Sequence, residues 1–374
     1  MKQTSKIIST YSADVFGVCS ALFELGGMTV MHDASGCNST YTTHDEPRWY
    51  DMDSMVYISG LSEMEAILGD DEKRIGDIVT AARDLKPRFI ALAGTPIPAM
   101  TGFDYEAAAM VIEERTGIPA FGFATTGMAT YVQGAAMAFA AFAKHFPEDV
   151  SKTADRTVNI LGLTPLDFSV NGTDKAIAEW LQGRGWRVLS RWAMGSTLEE
   201  LQQAGGAHVN LVVSAAGLEA AKVLKKRFGT PYVVGVPYGK DWSDARGAAL
   251  DSQSQPCSQV EGGEIVVIGE GVTSVSLASA IELATGRGVR VLCPTDCPAG
   301  VLRPKDRLCR FEEELEQALR DAEVVIADPL MAPICPKNAR FVSLPTEAFS
   351  GRIYRSDIPN LVTDFDAFLK EAQL

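Results

Sequence analysis

Short apolar runs, each about the length of one strand, alternate with amphipathic helical stretches along almost the whole chain. Residues 89–93 follow a helical segment at 72–85 and stop at Gly94-Thr-Pro96. The pattern predicts a helix over 105–116, a strand over 118–123 and a small-residue helix over 134–144 that suits close packing on a sheet. Apolar runs without polar alternation suit strands covered on both faces. The sequence therefore predicts parallel sheets with helices on either side, in doubly wound α/β layers.

The alternation resumes after a polar stretch at 147–156. Strands are expected at 158–162, 186–190, 208–213 and 231–235, with helices at 174–184, 197–203 and 217–228 between them. Ser196 is the expected N-cap of the helix at 197. A Ser/Gln/Gly-rich segment at 251–263 reads as a linker. Beyond it come strands at 265–268, 289–292 and 324–327 and helices at 274–285 and 312–322. A chain of 374 residues exceeds one hydrophobic core. These breaks divide it into three α/β domains: 1–150, 151–250 and 251–374.

Charge narrows the classes of function. The net charge is -14 and no lysine- or arginine-rich stripe offsets it, which argues against nucleic acid and anionic membrane surfaces. The most apolar stretch, 134–142, is far short of the ~20 residues that cross a bilayer. Residues 1–11 are polar and lack a signal-peptide run, so a cytoplasmic location is expected. Seven cysteines, an odd number, then suggest thiols or metal ligands rather than a disulfide framework.

The first 70 residues concentrate the candidate chemistry. A helix carrying Cys19 ends in Gly26-Gly27, a strand follows at 28–31, and the turn His32-Asp-Ala-Ser-Gly-Cys37 closes it. Cys37 thus falls just past a strand's carboxyl end. A thiolate there can ligate iron, and turn N–H groups can donate to cluster sulfides. The competing reading of Cys19 is a small buried core residue. Asp14 and Asp33 are conceivable oxygen ligands. His32 and His44 flank the turn as proton donors or as structural hydrogen-bonding groups.

Other motifs invite alternatives. Cys293, Cys297, Cys309 and Cys335 share one domain, but their spacings lack the paired knuckles of structural zinc, and buried or substrate-facing thiols are expected. Cys257 is read as incidental. Ile268-Gly-Glu-Gly follows a strand and opens a helix like a dinucleotide-binding turn, although Ser274 stands where a third glycine belongs. A nicotinamide-dependent oxidoreductase therefore stays open as a rival.

The run HDASGCNSTY, preceded by ALFELGGMTVM, resembles the HGPxGC turn of nitrogenase component 1 proteins. Segments at 58–69, 93–96, 101–104, 117–119, 158–162, 196–201, 207–212 and 228–232 match that family in order, so the resemblance spans Tyr11 to Phe368. It implies three Rossmann-like, doubly wound parallel-sheet domains. It implies a [4Fe–4S] cluster shared between two subunits, with Cys19 and Cys37 as candidate metal- and cofactor-binding residues. Such a cluster takes about four ligands, and two chains about a two-fold axis would double the two cysteines of this region. A heterodimer with a related component 1 subunit is the alternative to a homodimer.

The resemblance further implies an iron-protein-like ATPase as electron donor, since the chain has no P-loop lysine motif. The implied activity is that of a nitrogenase-like reductase component acting on an unsaturated small-molecule or tetrapyrrole-like substrate. The alternative is a non-catalytic scaffold or carrier for a metallocofactor. The chain departs from the family pattern at Thr95, where a further cluster cysteine belongs. It departs again near Ser214, where the catalytic nitrogenase subunit anchors its large cofactor. All four histidines lie at or before 208. These departures set the chain apart from true molybdenum nitrogenase subunits.

Overall fold

The computed structural model describes residues 5–7, 12–34, 36, 38, 41, 46–69, 71–253 and 260–374. Among them the chain forms three sheets in which every strand pair is parallel. The expected α/β class holds.

The first sheet has the order β2-β1-β3-β4, from β1 (Met28–His32), β2 (Met55–Ile58), β3 (Ile90–Gly94) and β4 (Ala120–Phe123). Its helices are α1 (Asp14–Leu22), α2 (Glu63–Leu68), α3 (Asp71–Leu85), α4 (Pro96–Thr101), α5 (Tyr105–Thr116) and α6 (Tyr131–His145). The second sheet, β6-β5-β7-β8, is built from β5 (Thr157–Leu161), β6 (Arg187–Arg191), β7 (Val209–Val212) and β8 (Tyr232–Val234). With it go α7 (Pro165–Phe168), α8 (Thr173–Gly183), α9 (Leu198–Gln202), α10 (Leu218–Phe228) and α11 (Lys240–Ser252).

The third sheet has five strands in the order β11-β10-β9-β12-β13. They are β9 (Ile265–Ile268), β10 (Val289–Cys293), β11 (Arg307–Leu308), β12 (Val324–Ala327) and β13 (Arg340–Ser343). Helices α12 (Gly271–Thr285), α13 (Glu312–Ala318), α14 (Glu347–Ser350) and α15 (Phe365–Glu371) complete it.

Each sheet grows outward in both directions from its first strand. The order reverses between β1 and β3, between β5 and β7, and between β9 and β12. Crevices at the carboxyl ends of strands open at such reversal points, so the loops after β1, β5 and β9 become the places to look for ligands.

Three local features differ from the sequence pattern. The N-cap of α9 is Thr197 rather than Ser196. The Thr197 hydroxyl accepts from Glu200 N–H while the Glu200 carboxylate accepts from Thr197 N–H, a reciprocal capping box. Ser196 instead accepts from Arg191 N–H at 2.7 Å. Helix α11 has no clear apolar pattern, because few apolar residues mark its buried face, yet Trp242 and Leu250 are sealed in the core. The outer strands β2 and β13 are partly exposed over most of their length, so no continuous apolar run announces them.

The units are joined by buried polar contacts as well as apolar ones. Arg48, buried, donates to Glu46 at 2.7 and 2.8 Å, to Glu24 at 2.9 Å, and across to Ala193 C=O of the second unit at 2.7 Å. Glu24 also accepts from Gly195 N–H at 2.6 Å. Thr130, the N-cap of α6, donates to Asp296 beyond β10 at 2.8 Å, tying the first unit to the third. No described helix is long and apolar enough to cross a membrane.

Candidate functional site

The β1 turn begins on a rigid footing. His32 ends an interior strand, is 6% exposed, and lies 4.5 Å from the Phe103 ring centroid. Its Nδ1 lies 2.8 Å from the Ser59 hydroxyl. Burial, followed by the nearby Arg74 guanidinium, lowers its pKa from 6.5 to about 4, so the imidazole is neutral at pH 7. Asp33 accepts from Ala34 N–H at 2.8 Å and from the Asn38 amide at 2.9 Å, bracing the turn from within. Thr95 sits beneath, donating to His32 C=O at 2.9 Å.

The predicted site residues fall into three groups. Cys37, His44 and Cys257 lie outside the described residues. Cys19 is 0% exposed on α1. Burial and then the Glu46 carboxylate push its thiol well above the ordinary range, which disfavours the thiolate a metal needs. Asp14 is also buried, and its carboxylate already accepts from Thr126, Gly127 and Val15 N–H at 2.7 to 2.9 Å. Asp33 is occupied by Ala34 and Asn38.

The later cysteines are free thiols. Cys293 and Cys309 lie on adjacent chain segments, Cys309 N–H donating to Cys293 C=O at 2.8 Å, and both are buried. Cys335 follows β12 and bonds weakly to Met331 C=O. Among the described residues no group of three or more His, Cys, Asp or Glu side chains is arranged to hold a metal ion. The described part of the chain therefore does not by itself make a cluster site.

A cavity of about 80 Å³ lies where the second and third sheets present their carboxyl ends to each other. Helix α7, directly after β5, contributes Leu166, Asp167 and Phe168, and the turn after β9 contributes Gly269 and Glu270, with Thr273 of α12 beside them. Leu277 of α12, Phe349 of α14, and Tyr238 before α11 close the walls. Two of the three reversal points thus face one space. Among the described residues its lining has no cysteine, histidine, lysine or arginine.

Glu270, inside the Gly-Glu-Gly turn, is a site residue that the sequence pattern does not single out. One of its oxygens accepts from Ala215 N–H at 2.9 Å, and the other from Thr273 N–H at 2.9 Å and the Thr273 hydroxyl at 3.0 Å. It therefore caps α12 with its own carboxylate. A pyrophosphate at that helix start would meet a like charge, which removes the physical basis for a dinucleotide there. Burial raises the Glu270 pKa against the lowering effect of these donors. Tyr238 is 6% exposed, and burial, then the Glu270 and Asp167 carboxylates, raise its hydroxyl pKa far above the usual value.

The sequence profile of the family described as nitrogenase component 1 type oxidoreductase matches residues 15–255. The chain belongs to that family. Among curated component 1-type relatives, the nitrogenase iron-molybdenum cofactor biosynthesis protein NifE of Klebsiella pneumoniae is 25% identical over 199 residues, which cover 50% of this chain and 43% of the relative. One of the subunits of the light-independent protochlorophyllide reductase of Nostoc punctiforme is 26% identical over 171 residues, covering 38% of this chain and 33% of the relative. The matched stretch thus spans less than half the length of these relatives. A solved structure of nitrogenase Cp1 at pH 6.5 superposes with a TM-score of 0.72 at 16% identity, covering 100% of this chain and 94% of that one, and confirms the component 1 fold.

Proposed function

We propose that this component 1-type chain is the substrate-binding part of a nitrogenase-like reductase, taking a small unsaturated molecule into the cavity between its second and third sheets. The observation that supports a reductase over a metallocofactor scaffold is the composition of that cavity. Its described lining offers no thiol or imidazole to a metal and no cation to an anionic cofactor.

The redox half of the proposal rests on family membership and on the β1 turn. Cys37 is the proposed ligand of an iron–sulfur cluster shared with a second component 1-type chain, either another copy or a sister chain. Such a cluster would supply single electrons, received from an ATP-dependent iron-protein-like partner. Cys19, sealed in the core with its thiol held protonated, is assigned to packing in this proposal. The residues of the chain itself do the rest. They exclude water with Phe168, Leu277 and Phe349, and they present a hydroxyl through Tyr238.

The reductase reading is tested by mixing the anaerobic protein with a reduced iron-protein-like ATPase, MgATP and candidate substrates. Repeated oxidation of the partner that depends on this chain supports it. Release of a bound metallocofactor with no repeated oxidation identifies a scaffold instead.

A further inference from the structure

The cavity between the second and third sheets is walled largely by apolar side chains, Leu166, Phe168, Leu277 and Phe349 among them. A charge moved from water into such surroundings costs free energy unless a partner of opposite sign receives it. The described lining has no basic side chain for an anion. Its two carboxylates are already committed. Glu270 accepts from Ala215 N–H, Thr273 N–H and the Thr273 hydroxyl. Asp167 accepts from the Thr164 hydroxyl and has a further interaction besides.

Most hydroxyls of the lining are spent in the same way. Thr173 donates to Asn171 at 2.7 Å, Thr273 to Glu270 at 3.0 Å, and Thr346 to Asp328 at 3.5 Å. Ser274 is folded against its own turn, so close that a Cβ on Gly269 would fall 2.6 Å from its Oγ. Tyr238 is different. It is buried and lines the cavity from the second unit, and its hydroxyl makes no hydrogen bond with any described residue. Burial, then the Glu270 and Asp167 carboxylates, hold its pKa far above the usual value, so at neutral pH it is a protonated donor. A buried hydroxyl without an acceptor carries a cost that a ligand in the cavity can relieve.

Resting on the reading of this cavity as the substrate site, we propose that its ligand is a neutral carbonyl compound. The carbonyl oxygen accepts from the Tyr238 hydroxyl, and the hydrocarbon body packs on Phe168 and Leu277. Such an oxygen brings the acceptor that Tyr238 lacks and adds no charge for the apolar walls to desolvate. A carboxylate of the same shape finds no cation in the described lining. An ammonium competes with the donors already on Glu270. An alcohol brings an O–H whose carboxylate acceptors are committed, and a hydrocarbon leaves the Tyr238 hydroxyl unmet.

The test is a ligand-observed NMR titration of the full chain, without reductant or partner protein. The probes are cyclopentanone, cyclopentanol, cyclopentane, cyclopentylammonium and cyclopentanecarboxylate. Cyclopentanone is expected to bind saturably and about fivefold tighter than the alcohol or the hydrocarbon, with neither ion saturating. In Tyr238→Phe, shown to be folded by its thermal melt, the ketone falls to the level of the hydrocarbon. The order of probes on the parent chain stands as a test even where the variant does not fold. An ion that binds as tightly as the ketone, a ketone no tighter than the alcohol or the hydrocarbon, a ketone preference that survives in folded Tyr238→Phe, or no binding at all overturns the proposal. Electron transfer from the iron-protein-like partner is measured on the same preparation. Repeated transfer without a ketone preference leaves the reductase reading standing and removes only the carbonyl ligand, whereas ketone binding without transfer does the reverse.

Discussion

Glu270, at the start of α12 in the third unit, accepts the backbone N–H of Ala215, which leads into α10 in the second, at 2.9 Å. The same carboxylate caps its own helix through Thr273. One buried side chain therefore holds the two units at the distance that leaves a cavity between them. Glu270→Ala strips the cap and leaves Ala215 N–H buried without its acceptor. A loss of about 2 to 4 kcal/mol is expected, read as a lower denaturant midpoint. A midpoint equal to that of the parent protein contradicts this role.

His32 should give the protein a pH-dependent stability on the acid side. Its folded pKa of about 4 lies below the unfolded value of 6.5, so the unfolded chain binds the proton more readily. The associated stability is present above pH 6.5 and is lost as pH falls from there towards 4. The loss is about 3 kcal/mol for a side chain this buried. His32→Gln removes that slope, so the stability difference between parent and variant should shrink steadily between pH 6.5 and 4. Parallel stability curves for the two proteins rule out the assignment.

The crossing of α1 and α6 depends on two glycines. A Cβ at Gly17 would fall 2.1 Å from the Tyr131 carbonyl oxygen, and one at Gly134 would fall 1.8 Å from that of Asp14. The obstacles are backbone atoms, so neither contact can relax by a side-chain rotation. Gly134→Ala is expected to cost about 3 kcal/mol through forced separation of the helices. A thermal melt within a degree of the parent value is the contrary result.

Arg48 is the centre of a buried charge network with Glu46 and Glu24. Arg48→Met leaves both carboxylates uncompensated and is expected to cost about 3 to 5 kcal/mol. The double change Arg48→Met with Glu46→Gln should recover part of that loss, because one stranded charge is then gone. Denaturation of the three proteins side by side measures the coupling. Additive losses show that the two groups do not act as a pair.

The architecture is legible in the sequence because parallel sheets leave a strong trace. Strands such as β9 and β12 are apolar without interruption, and that run alone fixes their bounds. The edge strands β2 and β13 leave no such trace, since half-exposed strands tolerate mixed residues. The β1 turn stands out through its cysteine and its surroundings. The cavity does not, because Asp167, Tyr238 and Glu270 are separated by 71 and 32 residues and meet only when two sheets dock. Glu270 even lies in a turn whose glycines suggest an anion site. Its own carboxylate fills that site, and no spacing rule reveals which side chain points back at its helix.

The redox proposal stands or falls on the Cys37 thiolate holding an iron–sulfur cluster shared between two component 1-type chains. Iron and acid-labile sulfide, measured with mass in solution on anaerobically purified protein, test it most directly. The expected result is a brown protein with about four irons per dimer, a Cys37→Ala variant that has lost them, and a Cys19→Ser variant that keeps them. Full iron content in Cys37→Ala, or parent protein without iron, contradicts it.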